Sequence, residues 1–270
     1  MLIDSHCHLD ATEFDADRHA IAQSALASGV AMIVVPAVER ANFNTVCGLA
    51  DSYAHCAYAL GIHPMYVDNA QPEDLQFLQD LVQSRLKTQK PPVAIGEIGL
   101  DFFVDGYKRE LQEYYFSEQL KLARQFDLPV ILHVRRSVDD ILKFLRRIKV
   151  RGGIAHAFNG SRQQADEFAK LGFKLGFGGA MTYPRALKIR ELAATLPLEA
   201  IVLETDAPDI PPEWLGHEGR NSPDQLPKIA RILADLRGVD CSEVTEITTN
   251  NVLSVLPRIA DLYTPAQVAH

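Results

Sequence analysis

The feature that most constrains the fold of this chain is a regular alternation of short apolar runs with longer amphipathic segments. Eight apolar runs recur, at residues 2–3, 32–35, 57–60, 93–95, 130–132, 153–155, 173–177 and 201–203. Short, continuous runs rich in branched residues are typical of parallel strands that are buried on both faces. We therefore predict eight parallel strands joined by helices.

The segments between these runs have helical spacing. After Gly106, apolar residues recur along one face of a helix, at Leu111, Tyr114, Tyr115, Leu122 and Phe126. Ser161 precedes the sixth helix, and Ser137, with Asp140 three residues later, resembles a capping box. A further helix is expected near residues 242–256.

Eight strand–helix units favour an α/β fold of the (β/α)8 TIM-barrel type, with an extra C-terminal helix and right-handed crossovers. The alternative is an open, doubly wound sheet, but no Gly-x-Gly-x-x-Gly follows the first strand to support it. The 270 residues match the usual size of one such barrel, and the sequence has no linker or repeat. We expect a single domain over residues 1–270.

Charge and composition limit the partners of this protein. The net charge of −8 argues against a broad basic face that grips nucleic acid, although bound metal ions would still allow a substrate that contains phosphate. No apolar run approaches the roughly 18 residues of a membrane span, and the first residues enter a motif directly. We expect a cytoplasmic protein with no membrane contact and no obligate protein partner. Its four cysteines lack a Cys-x-x-Cys pair, and free thiols are predicted.

Residues that can bind metal ions or transfer protons follow six of the eight apolar runs. In chain order they are His6 and His8, His63, Glu97, His133, His156, and finally Glu204 with Asp206. The carboxyl ends of all barrel strands converge on one face, where the active site is built. Residues far apart in sequence are therefore expected to be neighbours in one site.

The spacing of these residues has a physical reason. Side chains alternate along a strand, so His6 and His8 point the same way while Cys7 points into the packing. Two such imidazoles can bind one metal ion, a carboxylate can bridge to a second ion, and two further imidazoles can complete the second site. Neutral histidine and ionised carboxylates suit zinc, manganese or nickel. Two ions roughly 3.5–4 Å apart can activate water for a hydrolytic displacement.

The other histidines are assigned simpler roles. His19 and His55 fall in segments with helical spacing and are expected on the surface, and His270 ends the chain. His217 lies in the long loop after the eighth strand, and we do not expect it to contact a substrate.

The motifs, taken in order, resemble the TatD family of metal-dependent hydrolases, some of which are deoxyribonucleases. They are D-S-H-C-H-L-D, G-I-H-P, G-E-I-G-L-D, L-P-V-I-L-H, H-A-F-N-G-S, E-T-D-A-P and Arg220-Asn221. The chain departs from the better-known nucleases at Met65 and Asn159 and more closely resembles the YjjV-like branch.

The resemblance implies two divalent metal ions per chain, which could be zinc, manganese, nickel or magnesium. One ion would be held by His6, His8, Glu97 and Asp206, and the other by Glu97, His133 and His156. It also implies hydrolysis of phosphodiester bonds by a water that the metals activate, with the 3′ ends of DNA as the expected substrate.

In that reaction, Asp206 is the expected general base, and Glu204 is expected to hydrogen-bond a ligand from behind. His63 would donate to a phosphate oxygen, and Arg135 and Arg136 would grip phosphate, with strand alternation letting only one of the two point inward. Three further residues are expected near the substrate, with Phe158 stacking on a base or packing in the barrel rim: Phe158, Arg220 and Asn221.

Two other functions stay open from the sequence. An amidohydrolase or esterase that acts on small molecules would have a similar barrel, but many of those bridge their metals with a carboxylated lysine, and Glu97 fills that position here. A non-enzymatic interaction protein on a decayed scaffold should have lost at least one ligand, and none is missing.

Overall fold

The eight strands form one parallel sheet in which each strand pairs with the next along the sequence. The strands are β1 (Leu2–Asp4), β2 (Val30–Pro36), β3 (Cys56–Leu60), β4 (Ala94–Asp101), β5 (Val130–Arg135), β6 (Gly153–Ala155), β7 (Phe173–Phe177) and β8 (Ile201–Leu203). The structure is a computed structural model that describes residues 1–262.

The first and last strands approach each other and nearly close the sheet. The backbone N–H of Ser5, just past β1, donates to the carbonyl of Leu203 in β8 at 3.1 Å. Beside this bond, the buried carboxylate of Asp4 accepts from the backbone N–H of Thr205 at 3.0 Å and from its hydroxyl at 2.6 Å. The predicted (β/α)8 barrel is therefore confirmed.

Helices separate the strands along the whole barrel. They are α1 (Arg18–Ala27), α2 (Phe43–Ser52), α3 (Pro72–Arg85), α4 (Arg109–Gln125), α5 (Val138–Arg147), α6 (Arg162–Lys170), α7 (Leu187–Thr195), α8 (Leu226–Arg237), α9 (Cys241–Val255) and α10 (Arg258–Leu262). The predicted extra helix is α9. None of the helices within residues 1–262 is long and apolar enough to cross a membrane.

The apolar core is divided between the two faces of the strands. In β2, Met32 and Val34 belong to the cluster inside the barrel, whereas Ile33 and Val35 belong to the layer between strands and helices. Val252 and Val255 of α9 also belong to the inner cluster. Because both faces of each strand are covered, the strands read as continuous apolar runs.

Local predictions from the sequence met different outcomes. The hydroxyl of Ser161 accepts from the backbone N–H of Gln164 and caps α6, as expected. The capping box at Ser137 is wrong, because its hydroxyl donates to the carbonyl of Leu100 instead of capping α5. In α4 the predicted apolar face is right except at Tyr114, which is 48% exposed.

The predictions for the remaining histidines and the cysteines are also right in part. His19 lies in α1 and is exposed, as expected. The prediction for His55 is wrong, because this residue lies in the turn before β3, is buried, and contacts the carbonyl of Ala22 at 3.0 Å. All four cysteines are free, and Cys7 is fully buried in the core. His217 is exposed and stacks on Tyr183, and His270 lies outside the described residues.

Candidate metal centre

A cavity of about 1270 Å³ opens at the carboxyl ends of the strands, and ionisable side chains form its floor. The eight predicted residues at the strand ends lie there, and seven of them line the cavity: His8, His63, Glu97, His133, His156, Glu204 and Asp206. The eighth, His6, is fully buried just beneath them. The barrel thus brings together side chains that are up to 200 positions apart in sequence.

Glu97 lies at the middle of this cluster and is 1% exposed. It belongs to β4, whose register against β5 slips by one residue between Ile95 and Ile98. An extra residue of this kind is a bulge, and bulges re-aim side chains beside active sites. The bulge at Glu97 places its carboxylate in the barrel mouth.

The two carboxylate oxygens of Glu97 face two different groups of histidines. Oε2 lies 3.1 Å from Nε2 of His6 and 3.5 Å from Nε2 of His8. Oε1 lies 2.9 Å from Nε2 of His156 and 3.0 Å from Nδ1 of His133. One carboxylate therefore has a separate set of imidazole nitrogens at each oxygen, which is the arrangement that a ligand bridging two cations requires.

Asp206 completes the His6 and His8 side of the cluster. Its Oδ1 lies 3.4 Å from Nε2 of His6, 3.7 Å from Nε2 of His8 and 3.9 Å from Nδ1 of His156. The residue has a φ of 55°, a left-handed conformation that aspartate tolerates better than most residues. In this conformation its backbone N–H donates to the carbonyl of His6 at 2.9 Å, which joins the ends of β1 and β8.

The donor atoms fit divalent cations. Three sets have their ligand atoms within 4.8 Å of one another: His6, His8 and Glu97; His6, His156 and Asp206; and His63, Glu97 and His133. Nδ1 of His6 and Nδ1 of His156 are buried and have no hydrogen-bond partner within residues 1–262. Buried carboxylates need compensating charge, and imidazole with carboxylate is a donor set for borderline divalent ions.

Burial and charge shift the acidities of the carboxylates in opposite directions. Burial opposes the ionisation of Glu97, but the surrounding imidazoles of His156, His63 and His6 outweigh it and hold its pKa well below the usual value. Burial raises the pKa of Asp206 and raises that of Glu204 to about 8. Glu97 is thus the carboxylate that stays ionised, whereas Asp206 and Glu204 take up a proton more readily than free carboxyl groups do.

Burial and neighbouring charge also shift the pKa values of the imidazoles in opposite directions. Burial lowers the pKa of His6 well below its usual value, and the neighbouring charge of His156 adds to the effect. For His8 and His156, burial is outweighed by the carboxylates of Glu97 and Asp206, and the pKa rises to about 9 and to about 10. In the metal-free protein, protons on His8 and His156 therefore balance the carboxylates.

His63 is oriented as a hydrogen-bond donor. The backbone N–H of Met65 donates to its Nδ1 at 3.1 Å, so the proton of the neutral ring is on Nε2. That nitrogen lies 3.3 Å from Oε1 of Glu97, and burial lowers the pKa of the ring to about 4. Although His63 is close enough to join Glu97 and His133 around an ion, this tautomer makes it a donor.

Glu204 lies behind His156, but within residues 1–262 it does not hydrogen-bond a ligand as the sequence analysis expected. Its Oε1 accepts from the backbone N–H of Ala157 and lies 3.9 Å from Nδ1 of His156. Gly176 of β7 leaves the space for this side chain, since a Cβ there would lie 2.1 Å from Oε2 of Glu204. In the part of the chain that the structure describes, Oε2 has no hydrogen-bond partner.

The rim of the cavity carries a cation–aromatic cluster. The guanidinium groups of Arg135 and Arg136 lie 3.8 and 4.5 Å from the ring centroid of Phe103. The expectation that only one of the two arginines points inward is wrong, because both line the cavity. Strand alternation does not apply beyond Arg135, where β5 ends, and Arg136 has a left-handed φ of 55°.

Three residues predicted to contact substrate lie in other surroundings. Phe158 borders the cavity, but it is 1% exposed and packs edge-on against Phe168. Arg220 forms an ion pair with Asp17 on the surface. Asn221 is buried and donates to the carbonyl of Thr205 at 2.7 Å, which fixes the loop after β8. Neither Arg220 nor Asn221 lines the cavity.

Sequence reasoning missed Asp101 and Phe103. The carboxylate of Asp101, at the end of β4, is fully buried with Oδ2 at 2.9 Å from Nε2 of His133. Its pKa falls to about 2, because hydrogen bonds from His133 and the backbone N–H of Phe103 outweigh burial. Asp101 closes the G-E-I-G-L-D motif at an even spacing from Glu97, and that signal could have identified it.

Sequence comparisons relate this chain to known proteins over nearly its full length. The sequence model of the family described as TatD related DNase matches residues 3–257. The chain is 43% identical over 255 residues to the uncharacterized metal-dependent hydrolase YjjV of Escherichia coli K12, over 94% of this chain and 96% of that protein. It is 30% identical over 271 residues to deoxyribonuclease TATDN3 of Homo sapiens, over 97% of this chain and 96% of that protein.

The fold has the same relative among solved structures. The crystal structure of Escherichia coli YjjV, described as a TatD homologue, matches this structure with a TM-score of 0.90 at 42% identity. The match covers 95% of this chain and 98% of that chain.

Proposed function

The chain belongs to the TatD family of metal-dependent hydrolases, and on that basis we propose that it hydrolyses phosphodiester bonds at the 3′ ends of DNA strands. The observation that carries this proposal is the division of the two Glu97 oxygens between two groups of imidazoles. Such a carboxylate suits a pair of cations, and cation pairs are used for in-line displacement at phosphorus.

In this proposal the chain holds two divalent ions. His6, His8, Glu97 and Asp206 would bind the first ion, and Glu97, His133 and His156 would bind the second. Zinc, manganese, nickel or magnesium would lower the pKa of a water molecule and neutralise phosphate oxygens when bound. The side chains around them supply the proton transfer and the substrate grip.

Asp206 is the proposed general base. Its carboxylate lies at the cavity wall at 9% exposure, close enough to the floor to accept a proton from a water held there. Burial raises its pKa, which strengthens it as a proton acceptor. In the same cavity, the Nε2–H of His63 would donate to a phosphate oxygen, as its hydrogen bond from Met65 favours.

The charge around the cavity mouth favours cleavage near a strand end. Arg135 and Arg136 lie at the end of β5, whereas four lining carboxylates lie in segments that follow β1, β2 and β8, on the other side of the barrel order: Asp10, Glu13, Glu39 and Asp209. A polyanion that crossed the whole mouth would meet those carboxylates, whereas one that enters past the arginines and ends in the cavity would not. Contact of a terminal base with Phe103 fits the same path, since this residue is 43% exposed.

The relatives support nucleic acid as the substrate class. The family description names DNase activity, and TATDN3 is named a deoxyribonuclease. Glu97 lies where many related small-molecule hydrolases have a carboxylated lysine. This difference favours a phosphodiester substrate over an amide or ester.

The test is a substrate panel with metal-loaded protein. Single-stranded oligonucleotides with fluorescent labels at the 3′ or the 5′ end would be compared with a phosphomonoester, a lactone and an amide, and Asp206→Asn would serve as the matched control. We expect stepwise shortening from the 3′ end by the wild type only. Turnover of the amide or lactone without any shortening would replace this proposal with the small-molecule hydrolase.

A further inference from the structure

The two carboxylate oxygens of Asp101 contact two different groups. Oδ2 lies 2.9 Å from Nε2 of His133. Oδ1 accepts the backbone N–H of Phe103 at 2.8 Å and that of Val104 at 3.3 Å. The residue is fully buried at the end of β4, so water does not compete for these bonds.

We propose that Asp101 is a positioning residue that fixes the proton of His133 on Nε2 and connects this ligand to the cation–aromatic cluster at the rim of the cavity. An ionised carboxylate can only accept hydrogen bonds, so Nε2 of His133 must donate to it. The lone pair of Nδ1 is then left facing Oε1 of Glu97 at 3.0 Å, on the side of the second ion. The inference rests on the metal centre of the proposed function but not on its substrate.

The other buried ligand histidines lack this support. Nδ1 of His6 and Nδ1 of His156 have no hydrogen-bond partner among the residues that the structure describes. A ligand whose outer nitrogen is held by a carboxylate has a fixed ring and greater basicity. Loss of Asp101 should therefore weaken the ion bound by His133 and leave the ion bound by His6 and His8 largely unchanged.

The contacts of Oδ1 of Asp101 connect His133 to the rim of the cavity. The two backbone N–H groups that it holds belong to the segment that carries Phe103, on which Arg135 and Arg136 stack. Arg135 Nη1 also lies 3.9 Å from Oδ2 of Asp101. One carboxylate thus sets the position of the cation–aromatic cluster relative to the metal centre.

Asp101→Asn tests this arrangement. The amide offers one oxygen, and two backbone N–H groups compete for it against a single imidazole, so the amide NH2 turns toward His133. Nε2 must then accept, and the proton moves to Nδ1, where it blocks ligation. Titration calorimetry of chelator-treated, full-length protein with Zn²⁺ should show one of two sites weakened by about 10- to 100-fold. Asp101→Ala should weaken the same site.

The matched control is Gln112→Ala. Gln112 of α4 accepts from the backbone N–H of Asp101 at 2.9 Å and donates to its carbonyl at 3.1 Å. Its loss loosens the same strand end without touching the carboxylate, so both zinc sites should bind as in the wild type. If Gln112→Ala weakened zinc binding as much as Asp101→Asn does, Asp101 would act only through the stability of the strand end, and the inference would be overturned.

A nitrogen-15 spectrum of the zinc-loaded proteins provides a second readout. The wild type should show His133 with a protected proton on Nε2, and Asp101→Asn should lack that signal. An unchanged spectrum and an unchanged zinc isotherm in Asp101→Asn would overturn the proposal even if the wild type binds two ions. A wild type that binds fewer than two ions would instead refute the metal centre itself, and this inference with it.

Discussion

Oε1 of Glu97 lies 2.9 Å from Nε2 of His156, while Oε2 of the same carboxylate lies 3.1 Å from Nε2 of His6, whose ring stacks on that of His156 at 4.0 Å. Strands β1, β4 and β6 contribute these three residues, or the segments just beyond them. The carboxylate therefore joins the two halves of the centre, and its removal should affect both halves at once.

Glu97→Ala should abolish activity and lower the metal content below two ions per chain. The change removes the shared ligand and leaves five facing imidazoles without their common carboxylate, so the rate should fall by at least about 10³-fold. Metal analysis and turnover measured on one preparation check this. Glu118→Gln, on the exposed part of α4, is the control, and near-normal turnover by Glu97→Ala would refute the bridging role.

Asp206→Asn should separate chemistry from metal binding. The amide keeps a coordinating oxygen but loses basicity, so we expect most of the metal to remain while the rate falls by about 10²–10⁴-fold. Glu204→Gln should cost only about 10- to 100-fold, because Glu204 contacts the site through Ala157 and His156. Normal turnover by the Asn variant with both ions bound would place the base elsewhere.

Metal binding should release protons, and affinity should rise with pH. The pKa values of His8 and His156 are raised to about 9 and about 10 in the metal-free protein, so both rings are protonated at neutral pH. The bound cations must displace both protons, so about two should be released per chain.

Calorimetry in two buffers of different ionisation enthalpy measures this release directly. The heat of binding should differ between the buffers, and affinity should increase from pH 6 to pH 8. His19→Gln removes an exposed histidine outside the site and should release as many protons as the wild type. A heat of binding that is independent of the buffer would contradict the protonated state.

Gly176→Ala should destabilise the protein through Glu204. The new Cβ would lie 2.1 Å from Oε2 of this buried carboxylate, and overpacking of this kind typically costs about 1–3 kcal/mol. Gly48→Ala in α2 is the matched control, because a Cβ there meets nothing within 4 Å and should stabilise the helix by about 0.5–1 kcal/mol. Thermal unfolding of the metal-free variants distinguishes them, and equal melting temperatures would contradict the account.

The sequence predicts those parts of the centre that depend on strand ends. The apolar runs locate the strands, and because barrel strands converge, the motif after each run marks a residue of the site. His6, Glu97 and Asp206 could be brought together in this way before any distance was known.

The parts that sequence reasoning missed depend on backbone angles or on contacts between distant segments. The left-handed φ of Arg136 turns its side chain toward Phe103, and no pattern in the sequence specifies that angle. The hydroxyl of Ser137 bonds the carbonyl of Leu100, a partner 37 positions away, in place of the local cap. The even spacing from Glu97 could have identified Asp101 as a site residue, but its contact with His133 joins two different strands and is known only from the structure.

The central claim is a pair of metal ions that share Glu97, and anomalous diffraction from a zinc- or manganese-soaked crystal tests it most directly. We predict two anomalous peaks roughly 3.5–4 Å apart. One peak should lie between His6, His8 and Asp206, and the other between His133 and His156. A single peak, or two peaks that do not both contact Glu97, would contradict this account.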